Sequence, residues 1–163
     1  IITTLSPYFE NLGKRIIKSS KLYFNDVGLA CYLLGIRGAE QLAYHPLRGN
    51  LFENLVINEV SKIHFNQGEQ PHLYFYRDSN QLEVDLVFQQ GLKLIAVEIK
   101  SSKTFNKAFL QGLIKFKKLA TNHDVNGYVI YSGNHQQCVA DFQVVNYNNI
   151  SDYYRERARN NIT

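Results

Sequence analysis

Apolar positions recur along the chain with two periods, and the switches between them predict its elements. Leu51, Phe52, Leu55, Val56, Val60 and Ile63 fall at helical spacing, so an amphipathic helix is expected from Gly49 to about Phe65, ended by Gly68 and Pro71. Leu73 to Arg77 (LYFYR) has the aromatic character of a strand. Leu82 to Phe88 (LEVDLVF) and Leu92 to Ile99 (LKLIAVEI) flank the turn Gln89-Gln90-Gly91 and should pair as an antiparallel hairpin. Helical spacing returns from Ala108 to Leu119. Gly127 to Tyr131 (GYVIY) follows as a buried-strand pattern, then a short strand over Phe142 to Tyr147 and a terminal helix over Ile150 to Arg159.

Ahead of this run, Arg15 to Lys18 and Lys21 to Phe24 suggest a hairpin turned at Ser19-Ser20. Asn25-Asp26 offers an N-cap for a short helix through Leu34, stopped by Gly35, and Arg37 to Arg48 reads as a connection. Two units are expected, 1–45 and 46–163. A strand that follows a crossover helix joins its sheet parallel to an earlier neighbour, so the second unit should be α/β with a mixed sheet and helices on its faces.

At 163 residues, 45% hydrophobic and 20% charged, the chain has the balance of an ordinary folded domain and not of a disordered or coiled-coil one. Its longest apolar run, Gly28 to Ile36, is half the roughly 18 residues of a membrane span. The chain starts at Ile1 and contains no methionine, so a preceding segment is expected. Two distant cysteines, Cys31 and Cys138, without a basic-then-apolar leader, suit free thiols and a cytoplasmic setting. A net charge of +4 says little, but Lys100 to Lys118 holds six lysines and no acid.

No glycine-rich phosphate loop, Gly-x-Ser-x-Gly elbow or Cys-x-x-Cys pair is present, and five scattered histidines lack zinc-ligand spacing. One constellation stands out. Asp85 lies inside an apolar strand, and Glu98 and Lys100 share a side at the end of the next. A turn centred on Gln90-Gly91 would set Asp85 opposite Ala96, one diagonal step from Glu98, with Val84, Leu86, Ile95, Val97 and Ile99 on the other face. Charges in such strands are paired or coordinate something. Two readings follow: a Mg²⁺ (or Mn²⁺) site with Lys100 acting on a phosphate, or a salt bridge of Asp85 or Glu98 with Lys100 on a half-exposed face. A further carboxylate would come from the first helix, Glu53 or its rival Glu59, either of which could instead pair with Arg77.

The order Glu53, Asp85, Glu98-Ile-Lys100 resembles the PD-(D/E)XK nuclease-like superfamily, whose α-β-β-β-α-β core is the restriction-endonuclease-like arrangement. More closely, the runs LYFNDVGLACYLLGI, GNLFENLVINEV, LYFYRDSNQLEVDLV and LIAVEIKSSKTFN resemble the domain of unknown function 4143, which lies C-terminal to an AAA-type ATPase module. The resemblance covers roughly Pro7 to Gly133. It implies Asp85 and Glu98 as metal ligands, Lys100 as catalytic lysine, Glu53 as auxiliary acid, Mg²⁺-dependent hydrolysis of DNA phosphodiesters, and an upstream ATPase as partner. It also likens Arg15 to Leu34 to the tail of a winged-helix segment. Some members of that branch carry a Gln and a Tyr four residues apart on the second helix; here Gln111 is present and Lys115 stands in the tyrosine's place. Lys100, Lys103, Lys107, Lys115, Lys117 and Lys118 would form a phosphate-contacting surface that carries no sequence specificity. The other class of function is a non-catalytic DNA-binding or assembly module of the ATPase, with the charges closed in salt bridges and the many aromatics free for an interface. An oligomer is compatible with either.

Overall fold

A computed structural model describes residues 1–9 and 19–152. Among the described residues eight strands form one mixed sheet in the order β2-β1-β3-β4-β5-β6-β8-β7. They are β1 (Ile2–Pro7), β2 (Lys21–Phe24), β3 (Tyr74–Arg77), β4 (Glu83–Gln90), β5 (Lys93–Lys100), β6 (Asp124–Tyr131), β7 (Gln137–Val139) and β8 (Phe142–Asn146). The helices are α1 (Val27–Leu33), α2 (Ala39–Tyr44), α3 (Arg48–Asn66) and α4 (Gln111–Leu119), the last entered through a 3₁₀ turn at Lys107–Leu110. None of them is long and apolar enough to cross a membrane, among the described residues. Cys31 and Cys138 are free thiols.

The hydrophobic pattern locates most of these elements. Asp26 caps α1 by accepting from the Leu29 N–H, and Gly35 leaves the helix in the left-handed region at φ 76°. As expected, β6 runs parallel to β5. Three elements were not anticipated: β1, β7 and α2, the last forming inside the supposed connection between Gly38 and Pro46. β2 pairs with β1, in the register Leu5–Lys21 to Ile2–Phe24. The proposed hairpin strand at 15–18 and most of the terminal helix lie outside the described residues.

Helices cover both faces of the central strands. On one face Val56, Ile57 and Val60 of α3 pack against Leu86, Phe88, Ile95, Val97 and Ile99. On the other, Leu113 and Phe116 of α4 pack against Val84, Val87, Leu94, Ala96 and Val129. Burial on both sides is why β4 and β5 read as nearly continuous apolar runs.

The register of the β4–β5 hairpin departs from expectation. Its loop is Gly91-Leu92, because Gly91 at φ 59° supplies the left-handed first position of a two-residue turn. Ala96 therefore pairs with Val87, and the ladder ends at Leu86–Val97, one residue short of Asp85 and Glu98. A second departure is a bulge. Tyr74 pairs with Val87 but Tyr76 pairs with Val84, so β4 carries one residue more than β3 over this stretch. Val84 is thereby turned onto the α4 face with Val87 instead of joining Leu86.

Parallel pairing of β6 with β8 leaves no space at Gly127, where an added Cβ would sit 2.2 Å from the buried Phe142 ring. Gly127→Ala should therefore lower stability by about 1–3 kcal/mol in chemical denaturation, with the transition remaining cooperative.

Candidate functional site

The pairing between β4 and β5 runs from Gln90–Lys93 to Leu86–Val97. Beyond that point β5 continues beside β6 to Lys100–Tyr131, while β4 stays with β3 to Arg77–Glu83. The sheet forks there, and Asp85 stands in the fork. Its Oδ2 accepts from the Ile99 N–H at 2.7 Å, in place of a ladder carbonyl. The bulge in β4 gives the carboxylate this aim.

On the α4 side of the fork Glu98 and Lys100, two apart on one strand, make an ion pair of 2.5 Å. Glu98 Oε1 takes that contact, whereas Oε2 is buried with no hydrogen-bond partner among the described residues. They line an open cleft of about 600 Å³ together with Glu83, Gln111, Gly112, Lys115 and Lys118. Gly112 lets α4 approach, since a Cβ there would lie 3.0 Å from the Glu83 carbonyl and 3.4 Å from Glu98 Oε2.

On the opposite side lies a chain of ion pairs. Glu53, from α3, has its Oε1 bound by Lys21 Nζ at 2.9 Å and also by the Tyr23 hydroxyl. Lys21 Nζ reaches on to Glu83 Oε1 at 2.6 Å, and Glu83 Oε2 is held by Arg77 at 2.7 and 2.8 Å. These groups border a second groove of about 530 Å³, walled by Leu22, Leu33, Leu34 and Leu47; Glu83 is common to both cavities.

Asn54 explains how β2 reaches this place. Its amide accepts from the Phe24 N–H at 2.9 Å and donates to the Phe24 carbonyl at 2.7 Å, as a neighbouring strand would. Asn58 adds a bond to the same carbonyl. Helical spacing assigns both asparagines to a solvent face, yet Asn54 is buried because β2 packs there.

The candidate residues thus separate. Asp85, Glu98 and Lys100 come together with Gln111, Lys115 and Lys118 nearby. Glu53 acts on Asp85 only through its charge, from across the fork. Glu59 pairs with Lys62 at 2.7 Å instead of turning toward the sheet, and Arg77 pairs with Glu83 instead of Glu53 or Glu59. Lys103, Lys107 and Lys117 are exposed but line neither cavity, Lys117 lying 5.7 Å over the Phe142 ring. Lys21, Tyr23 and Glu83 were not foreseen. Glu83 was findable, being two residues from Asp85 on the same strand; Lys21 was not, because 32 residues separate it from Glu53.

Burial drives the electrostatics. Desolvation, then the charges of Glu98 and Glu53, push the Asp85 carboxyl up to about 8, against the opposing Lys100 charge and the Ile99 N–H. Desolvation also raises Glu98, although Lys100 pulls the other way. The donor set fits a hard divalent cation. Two raised, adjacent carboxylates, one with a buried free oxygen, would both be relieved by positive charge, and Mg²⁺ takes one or two carboxylates plus waters and phosphate oxygens. Among the described residues no three His, Cys, Asp or Glu side chains are grouped to hold a metal, so such an ion would keep much of its shell from solvent or substrate.

The raised Asp85 value has a stability consequence. Its stabilising effect is complete below the unfolded value near 3.8 and is lost as pH rises through about 8. Asp85→Asn, which keeps an oxygen for the Ile99 N–H and never ionises, should match wild type near pH 4. In metal-free denaturation it should become the more stable protein as pH approaches 8, by on the order of a few kcal/mol.

Two curated relatives bear on identity. The uncharacterized proteins Rv2008c of Mycobacterium tuberculosis and Mb2031c of Mycobacterium bovis are each 28% identical over 145 residues, which is 86% of this chain. The chain spans about 30% of the length of these relatives. Residues 1–40 match a family described as domain of unknown function (DUF8612). Residues 48–150, most of the chain and all of the fork, match the model of a second family, and by that match the protein belongs to the family described as domain of unknown function (DUF4143).

Proposed function

We propose that this is a metal-dependent nuclease-like domain of the PD-(D/E)XK, restriction-endonuclease-like type that acts on DNA phosphodiesters. One observation carries the reading: at the fork, buried Asp85 and half-buried Glu98 follow directly on the last β4–β5 ladder pair, Lys100 is paired to Glu98, and the other Glu98 oxygen is buried without a hydrogen-bond partner among the described residues, beside a lysine-bordered cleft. Asp85 and Glu98 would hold Mg²⁺ or Mn²⁺. When bound, the ion supplies a more acidic water and offsets charge on the scissile phosphate. Lys100, released from its pair with Glu98, donates to the phosphate as negative charge develops there. Lys115 and Lys118 draw the backbone into the cleft, and Lys103 and Lys107 extend the positive surface on the same side in sequence. Gln111, on the cleft wall, is positioned to bond a phosphate or sugar oxygen.

In the wider reading, residues 1–45 are the tail of a winged-helix segment and 46–163 the nuclease-like unit, working in the cytoplasm under an upstream AAA-type ATPase module. The rival reading, a non-catalytic DNA-binding or assembly module of the ATPase, is favoured by the closed pairs of Glu53 and Glu83 with Lys21 and Arg77.

Titration calorimetry with Mn²⁺ should show binding that Asp85→Ala and Glu98→Ala abolish, with protons released on binding near pH 7 because Asp85 must ionise. Lys100→Ala should still bind metal but cut DNA about 10²–10³-fold more slowly. Metal binding and cleavage unchanged by Asp85→Ala would remove Asp85 from the site, and a wild-type protein that neither binds Mn²⁺ nor cuts DNA would end the nuclease reading.

A further inference from the structure

We propose that the Lys21 ammonium serves as a built-in second cation of this site, limiting it to one divalent ion. The inference rests on the metal reading of Asp85 and Glu98 given above.

Lys21 Nζ marks a point 2.9 Å from Glu53 Oε1 and 2.6 Å from Glu83 Oε1. Two carboxylates from different elements converge on that point, which is how a protein arranges ligands around a metal ion. Both acids are otherwise supported: Glu53 by the Tyr23 hydroxyl, Glu83 by Arg77 on its other oxygen. Their positions therefore do not depend on Lys21 alone. Lys21 is itself held in place, its side chain only 17% exposed and its ammonium 5.3 Å over the Phe75 ring. Its strand, β2, is fixed by the Leu5–Lys21 pairing and by the Asn54 amide on Phe24.

Lys21 lines only the second groove, and Glu83, which borders both cavities, links it to the cleft where Glu98 and Lys100 lie. Two-metal phosphodiesterases place a second ion beside the first to share the charge of the transferred phosphate. Here a covalently attached cation, contributed by a strand far from Asp85 in sequence, would fill that role. It would be present at every metal concentration, so the site would load with a single ion.

The test is Mn²⁺ stoichiometry, read by electron paramagnetic resonance and calorimetry on the full chain, with circular dichroism to verify folding. Wild type should bind one ion. Lys21→Gln keeps N–H donors for both carboxylates but removes the charge, and should bind two. Lys21→Met, which keeps the stem over Phe75, should give the same count should the glutamine variant fail to fold. Lys21→Arg restores charge and should return the count to one.

The two readings separate in the outcome. Lys21→Gln combined with Asp85→Ala should bind one ion, held by Glu53 and Glu83. One ion in wild type and still one, at unchanged affinity, in Lys21→Gln and Lys21→Met would overturn the role of Lys21 and leave the Asp85–Glu98 site standing. No ion in wild type but one in Lys21→Gln would retain Lys21 as a resident cation and remove the Asp85–Glu98 site. No ion in any variant would remove both.

Discussion

The hydrogen bond from the Ile99 N–H to Asp85 Oδ2 is the contact on which the site depends. Where β4 and β5 part, a backbone N–H loses its ladder partner in a buried place, and an unpaired buried donor costs on the order of 1–3 kcal/mol. A carboxylate supplied by a bulge in the neighbouring strand satisfies it. The same bond places an acid between two layers of side chains, in reach of charges on both faces of the sheet. A regular ladder would have buried Asp85 against one helix or exposed it on one face. The fork makes it the meeting point of Glu98 and Lys100 from one side and Glu53 from the other.

The two sides differ in how their charges are compensated. Glu53 and Glu83 are saturated by Lys21, Tyr23 and Arg77, and desolvation of Glu83 is outweighed by its cations, which hold it below the usual carboxylate range. Glu98 has one cation and one bare buried oxygen, and it is raised. Saturated ion pairs and a carboxylate with unused binding capacity therefore border one cleft. A raised carboxylate beside a cleft is a candidate functional group, as charge that folding leaves uncompensated is available to a ligand.

β2 and β1 extend the sheet that carries the site and do not form a separate layer. The segment matched by one family therefore contributes Lys21 and Tyr23 to a site whose other members lie within the second. Hydrogen bonds from Asn54 and Asn58 to the Phe24 and Asn25 backbone make that union directional.

The central elements were legible in the sequence because their signals are local. Helical spacing marks α3, continuous apolar runs mark β4, β5 and β6, and a charged Asp85 inside such a run marks a place where charge is needed. That Glu98 and Lys100 share a side follows from strand period alone. Tertiary structure decided the rest. Turn geometry at Gly91 and the β4 bulge shifted the register, so Ala96 meets Val87 and Val84 changes face. β1, β7 and α2 carry no clear apolar period of their own and form because neighbours pair with or cover them. On a helical wheel Glu53 falls at the edge of the apolar arc and Glu59 nearer its centre, and only the position of β2 gave Lys21 and Tyr23 to Glu53 while Glu59 was left to Lys62. Periodicity records which face of an element is buried; which distant charge meets it there depends on long-range packing that no local pattern encodes.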